Sequence, residues 1–276
     1  SFRSLVCFLL LGCVMPSFAA VRYVKSVACG EANGASWADA FTLADALANA
    51  AEDDEIRLAQ GVHKVSATAT LACKITLRGG YAGVSEAEEP SGDRTTTIIS
   101  GDKNDNDVWQ QFDPVSNTFT TLTDGGGNNL PVIANGAITV PKTEGRFAVA
   151  VPTGCSDDVS QCIKYAAGGS LTAENLTFAG FGTCGNSNTK GVIVYHNIGT
   201  AVTTMTNCLF IACGNGYGLF AADASGTLSI LDCAFRNNLS NQYGSMVLLN
   251  NTSTKVEIGS CLFEDLACSL SKCSVS

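Results

Sequence analysis

Three groups of residues have types and spacing that could do chemistry. The run Asp102-Lys103-Asn104-Asp105-Asn106-Asp107 sets oxygen-bearing side chains at alternate positions. Asp102, Asn104 and Asn106 could supply three of the roughly six to eight oxygens that a hard cation such as Ca²⁺ takes. No glutamate stands where an EF-hand loop would close, so the run also reads as a solvated turn. Asp157 and Asp158, between Cys155 and Cys162, form a carboxylate pair. Inverting glycosidases use one such group as acid and one as base; the competing reading is an exposed acidic loop. His63 and His196 are the two histidines. His196 follows Val192-Ile193-Val194-Tyr195 with no carboxylate partner nearby, which places it at the surface or in a turn. Arg236 and Lys255 are bases of the kind that take a proton α to a uronate carboxyl, but no carboxylates cluster around them in the sequence.

The elements that must hold these residues show in a four-fold echo between Leu171 and Phe263. With Asn175, Asn207, Asp232 and Ser260 aligned, the next residues are Leu176, Cys208, Cys233 and Cys261, and the third residues on are Phe178, Phe210, Phe235 and Phe263. Two residues earlier stand Ala173, Met205, Ile230 and Ile258; four earlier stand Leu171, Thr203, Leu228 and Val256. Apolar positions at −4, −2, +1 and +3 describe two short strands, out of phase across a one-residue bend. Repeats at roughly 20 to 50 residues mark stacked units that cannot bury their apolar face alone. Without amphipathic helices between the strands, the pattern predicts a parallel β-helix whose like side chains stack at about 4.8 Å. Its outward columns would be Thr172, Thr204, Ser229 and Glu257, then Thr177, Leu209, Ala234 and Leu262, a small and weakly polar face.

Before the repeats, Thr42-Leu43-Ala44-Asp45 starts like a capping box, with a short helix to about Ala51. A helix there would cap the exposed strand edges at the solenoid's end. From Lys103 to Pro152 the periodicity lapses, with four of six prolines (Pro114, Pro131, Pro141, Pro152) and the run Gly125-Gly126-Gly127. This reads as an insertion looping off one coil, with a hairpin around 112 to 122. The organisation is then a signal peptide over 1–20, cap and first coils over 21–102, the insertion over 103–152, and coils over 153–276. The chain opens without Met and stops just after a turn, reading as part of a longer protein.

The balance of 16 basic to 25 acidic residues, a net charge of −9, argues against nucleic acid and anionic membrane surfaces as partners. Arg3, the apolar run Leu5 to Leu11 and the small-residue exit Ser17-Phe18-Ala19 predict an export signal, with Leu10-Leu11-Gly12-Cys13 as the rival lipoprotein reading. No later run is long enough to span a bilayer as a helix. The many cysteines suit an oxidising compartment. Cys208, Cys233 and Cys261 read as packed thiols. Cys184 and Cys213, each followed by Gly-Asn on neighbouring coils, could bridge, as could Cys155 and Cys162. Zinc does not fit the spacing.

The run Tyr23-Val24, Asn33-Gly34-Ala35-Ser36-Trp37, Ala44-Asp45-Ala46-Leu47 and Asp54-Glu55-Ile56-Arg57-Leu58-Ala59-Gln60-Gly61 resembles the N-terminal cap of secreted bacterial right-handed parallel β-helix proteins. These belong to the pectin-lyase-like superfamily, which includes relatives of polymorphic outer membrane proteins. Leu77-Arg78-Gly79-Gly80-Tyr81-Ala82-Gly83 and Ile98-Ile99-Ser100-Gly101-Asp102 fit the same pattern. The resemblance implies an all-β right-handed parallel β-helix and export to the bacterial surface or medium. The Asn-Thr-Asp, Gly-His-Gly and Arg-Ile-Lys segments of the superfamily's pectin hydrolases do not occur here. The expectation is therefore an exported scaffold or adhesion module without catalysis, contacting carbohydrate or another surface component, with calcium as the one candidate cofactor. The alternative is a polysaccharide lyase or glycoside hydrolase acting on an acidic polysaccharide.

Overall fold

The computed structural model describes residues 19–113, 116, 118–139, 147–151, 158–182, 189–214, 217–240, 246–264 and 267–268. Each coil lays down three short strands in turn, and every strand pairs in parallel with its equivalents on the coils before and after. Sheet A stacks Val21–Val24, Asp54–Ala59, Lys74–Tyr81, Ser170–Glu174, Ala201–Thr206, Gly226–Leu231 and Thr254–Gly259. Sheet B stacks Gly61–Lys64, Thr97–Ser100, Thr177–Ala179, Leu209–Ile211, Ala234–Arg236 and Leu262–Glu264. Sheet C stacks Ala69–Leu71, Ile163–Tyr165, Val194–His196, Phe220–Ala222 and Val247–Leu249. This is the parallel β-helix that the echo predicts.

The bend between sheets A and B is the aligned column itself. Asn175, Asn207, Asp232 and Ser260 have φ of 57°, 50°, 54° and 53°, the left-handed region that Asn and Asp tolerate best among residues with a side chain. One left-handed residue reverses the in–out phase, which is why the apolar positions on either side are out of step. The bend amides also stack: Asn207 Nδ2 donates to Asn175 Oδ1 at 3.0 Å, and Asn175 Nδ2 to the carbonyl of Gly92 at 2.9 Å. The cysteines one residue on do more than fill space. Cys208, Cys233 and Cys261 donate S–H to the carbonyls of Thr206, Leu231 and Gly259 at 3.4, 3.2 and 3.2 Å.

Inside, Phe178, Phe210, Phe235 and Phe263 pair rung to rung, with ring centroids 5.4, 4.9 and 4.8 Å apart and nearly parallel planes. The column continues downward through Ile99 to His63. The entry end is sealed by the helix Leu43–Ala48, which buries Leu43 and Ala46. Thr42 is its N-cap, accepting from Asp45 N at 3.2 Å. The helix stops three residues before the expected Ala51, with Asn49 as C-cap. Tyr23, Trp37 and Tyr81 form a separate aromatic cluster at this end.

The insertion lies on the outer face of sheet B. Val108–Asp113 pairs with Thr118–Thr121 as a hairpin and with Phe147–Val151, all antiparallel. Trp109 and Val132 pack over Ile98, Ala179, Leu209, Ile211 and Ala234 as a second apolar core. The expectation of an open outer face is thereby corrected for sheet B: Thr177, Leu209 and Ala234 point outward yet are buried. Only the last rung, Leu262, is exposed.

Candidate functional site

The two remaining outer faces differ in chemistry. On sheet A, Thr76, Thr172, Thr204 and Ser229 form one outward column, between Glu55 at one end and Glu257 at the other. Beside it, Arg57 and Arg78 sit one rung apart and are taken up by Glu55 and Glu174, at 2.8 and 2.7 Å. Hydroxyls and closed ion pairs make up most of this face among the described residues, with Lys255 exposed on its last rung.

Sheet C has a different outward column: Thr70, Lys164, Tyr195, Ala221 and Leu248. At the strand ends, Asp223 and Asn250 continue from Ala222 and Leu249. Asp223 gathers three side chains from the two coils on either side of it. Lys190 Nζ lies 2.6 Å from its Oδ2, the Tyr195 hydroxyl donates to the same Oδ2 at 2.6 Å, and Asn250 Nδ2 donates to Oδ1 at 2.6 Å. Its own backbone N–H donates to His196 O at 2.9 Å, so the carboxylate is held from both ends. Burial works to raise the Asp223 pKa, but the bonds from Lys190, Tyr195 and Asn250 prevail and hold it below the usual carboxylate value. Tyr195 moves the opposite way: burial, then the bond to Asp223 and its negative charge, push the phenol up to about 12. Lys190 and Asp223 stay partly open to solvent, and Lys164, on the rung next to Tyr195, is exposed.

Behind this face, inside the coil, His196 is 2% exposed. Its Nε2 lies 2.7 Å from Thr203 Oγ1, which also meets the Tyr165 hydroxyl at 2.5 Å. The expected surface or turn placement of His196 is corrected: it is the last residue of a three-residue strand and faces inward like Val194. Burial pushes it down to about 4. His63 is also interior, with Nε2 2.7 Å from Ala59 O, and burial lowers it too.

The calcium candidates separate. Asp102 is buried, and its carboxylate accepts from the backbone N–H groups of Asn104, Asn106 and Asp107 at 3.1, 3.3 and 3.2 Å. The Asn104 side chain is exposed. The buried Asp107 and Asp158 take their place beside Asp102, the three offering carboxylate oxygens within 4.8 Å of one another. Asp158 is thus not on an exposed loop; Asp157 lies outside the described residues. Gly180, at φ 65°, lines this corner because a Cβ there would stand 3.2 Å from Asp107 Oδ2 and 3.1 Å from Asp102 Cβ. Arg236 pairs with Glu264 at 2.7 Å and Lys255 is exposed; neither joins another candidate.

Cys162 and Cys213, each expected in a bridge, are buried free thiols; Cys213 donates to Ile211 O and Phe178 O instead. Their expected partners Cys155 and Cys184 lie outside the described residues, as does the export segment through residue 18, including Cys13. Among the described residues no helix is long and apolar enough to cross a membrane.

No family model matches the chain, and no curated protein matches it. Among solved structures it is similar to a PL6 family alginate lyase, AlyGC, at 10% identity and a TM-score of 0.41, over 92% of this chain and 30% of that one. The expectation of a scaffold without catalysis is corrected at this point. The bland outer face behind that expectation belongs to sheets A and B, whereas sheet C presents Lys164 and Tyr195, the latter bonded to Asp223. Sequence reasoning did not group Lys164, Lys190, Tyr195, Asp223 and Asn250, because they are scattered between positions 164 and 250 with no motif. The one signal was the short apolar stretch at Lys164, Tyr195, Asp223 and Asn250, which repeats as Ile163, Val194, Phe220 and Val247.

Proposed function

We propose that this chain acts on an acidic polysaccharide, cleaving it by β-elimination with the sugar chain lying across the outer face of sheet C. One observation carries the reading. On a protein of net charge −9, two lysines and a phenol stand together at sheet C, Lys164 and Tyr195 as rung neighbours and Lys190 joined to Tyr195 through Asp223. Elimination needs a positive charge to steady the uronate carboxylate, a base for the proton α to it, and a proton for the departing sugar oxygen. Lys190 is placed for the first task and Lys164 for the second. Hydrolysis would need two carboxylates across the bond. Among the described residues this face has Asp223, already engaged by three donors, while Asp158 is buried with Asp102 and Asp107.

Calcium belongs to the same proposal. Three hard oxygen donors suit such an ion, and Asp102, Asp107 and Asp158 would hold it. Bound there, it would neutralise three crowded carboxylates and tie the root of the insertion to the segment entering sheet C. Export, by free secretion or through Cys13, completes the reading, with the substrate outside the cell.

Incubation with polygalacturonate and with alginate, in Ca²⁺ and in a chelator, tests this directly. Unsaturated, ultraviolet-absorbing ends should accumulate with one of them. Reducing ends without unsaturation would make the protein a hydrolase, and no new ends of either kind would defeat the proposal.

A further inference from the structure

We propose that Tyr195 is the proton donor to the departing sugar oxygen, and that Asp223 is the positioning residue that holds it for the task. This rests on the elimination reading above and assigns its missing third group.

The geometry suits an acid better than a base. The Tyr195 hydroxyl donates to Asp223 Oδ2 at 2.6 Å, so the phenol rests with its proton on. Asp223 cannot swing away, since Asn250 occupies Oδ1 and the backbone N–H is tied to His196 O. Lys190 Nζ reaches the same Oδ2, which sets an ammonium beside the place where phenolate charge would form. Lys164 stands on the adjacent rung, on the same outward column. A structural knot between coils would be complete with Lys190, Asp223 and Asn250; the phenol adds a protonated group at the open face.

The step balances. Lys164, after its ammonium gives a proton to solvent, takes the proton α to the uronate carboxyl, and that C–H electron pair becomes the new C=C bond. The C–O bond to the neighbouring sugar breaks with its pair going to oxygen. The Tyr195 O–H proton passes to that oxygen, leaving a phenolate facing the Lys190 ammonium. Solvent then returns a proton from Lys164 to Tyr195, and no oxidant or reductant is required.

Two substrates and two variants test the assignment. One substrate is the polyuronate; the other is a short uronide with fluoride at the C4 leaving position, which departs without a proton. Tyr195→Phe should lose about 10²- to 10⁴-fold on the polymer and little on the fluoride, while its retardation in a polymer-containing gel stays as in the wild type. Asp223→Asn removes the charge that raises the phenol, so the alkaline limb of its pH–rate profile should move to lower pH. Equal losses on both substrates, or an undiminished Tyr195→Phe enzyme, would overturn the assignment while leaving the elimination reading intact. Should Tyr195→Phe fail to fold, an unmoved alkaline limb in Asp223→Asn overturns it as well. A wild-type protein inert toward both substrates defeats the elimination reading, and this inference with it.

Discussion

Sheets B and C are built by the same coil, yet their outer faces have opposite fates. Both alternate in and out with period two, and both keep an interior histidine, His63 behind sheet B and His196 behind sheet C. On sheet B the outward side chains Ile98, Leu209, Ile211 and Ala234 are apolar, and the insertion covers them with Trp109 and Val132. On sheet C, among the described residues, the outward Thr70 and Lys164 are exposed, Tyr195 and Leu248 are half-buried, and Ala221 is buried. A solenoid exposes one face per sheet, and what each face does follows from what else in the chain can lie on it. Here the covered face contributes stability, and the face with Lys164 and Tyr195 is the one proposed to carry chemistry.

The comparison predicts a hierarchy of effects on folding. Trp109→Ala should be the most damaging, on the order of 3–5 kcal/mol, because it empties the centre of the second core and removes the indole N–H bond to Thr139. Denaturant midpoints read this. A change below about 1 kcal/mol would mean that the insertion contributes little to holding sheet B, and the two faces would be alike after all.

Acid should act from the inside. His196 is held near 4 when folded, below the 6.5 of an unfolded histidine. The unfolded chain therefore takes up the proton first. This contribution to stability is whole above about pH 6.5 and is lost as pH falls toward 4, on the order of 3 kcal/mol in all. Denaturant midpoints between pH 7 and 5 should fall less steeply in His196→Gln than in the wild type. Parallel slopes would show that burial behind sheet C does not depress this histidine.

The smallest contrast is the sharpest test of coverage. Ala234→Ser buries a hydroxyl beneath the insertion and should cost about 1–3 kcal/mol unless it finds a partner. Thr172→Ala, on the open column of sheet A, should stay within about 0.5 kcal/mol. Equal midpoints for the two variants would place Ala234 in solvent.

The interior was legible because it repeats. A stacked coil demands the same residue type at the same place on each rung, so Phe178, Phe210, Phe235 and Phe263 declare the column, and Asn175, Asn207, Asp232 and Ser260 declare the bend. The capping helix was legible for a local reason, since Thr42 and Asp45 satisfy its first backbone donors within one turn. The site residues do not repeat. Lys190, Tyr195, Asp223 and Asn250 meet only because three segments come to one edge of sheet C, and nothing in the spacing of single, dissimilar residues records that. The carboxylate cluster escapes the sequence in the same way: alternation groups Asp102, Asn104 and Asn106, whereas Asp158 arrives from more than fifty residues away to join Asp102 and Asp107.

Burial of the outer faces divides along the same line. Period two in the sequence determined that Leu209 and Ala234 point away from the coil interior. It could not determine that they are dry, because their cover comes from an aperiodic insertion whose Trp109 and Val132 are set by tertiary packing. Nor could it place His196, whose inward direction depends on where a three-residue strand begins. Sequence alone determined the coil, its bend and its inward columns, since these follow from local backbone preference and apolar repetition. Tertiary structure alone decided which face is covered and which carboxylates and amines meet, since those contacts join segments that share no pattern.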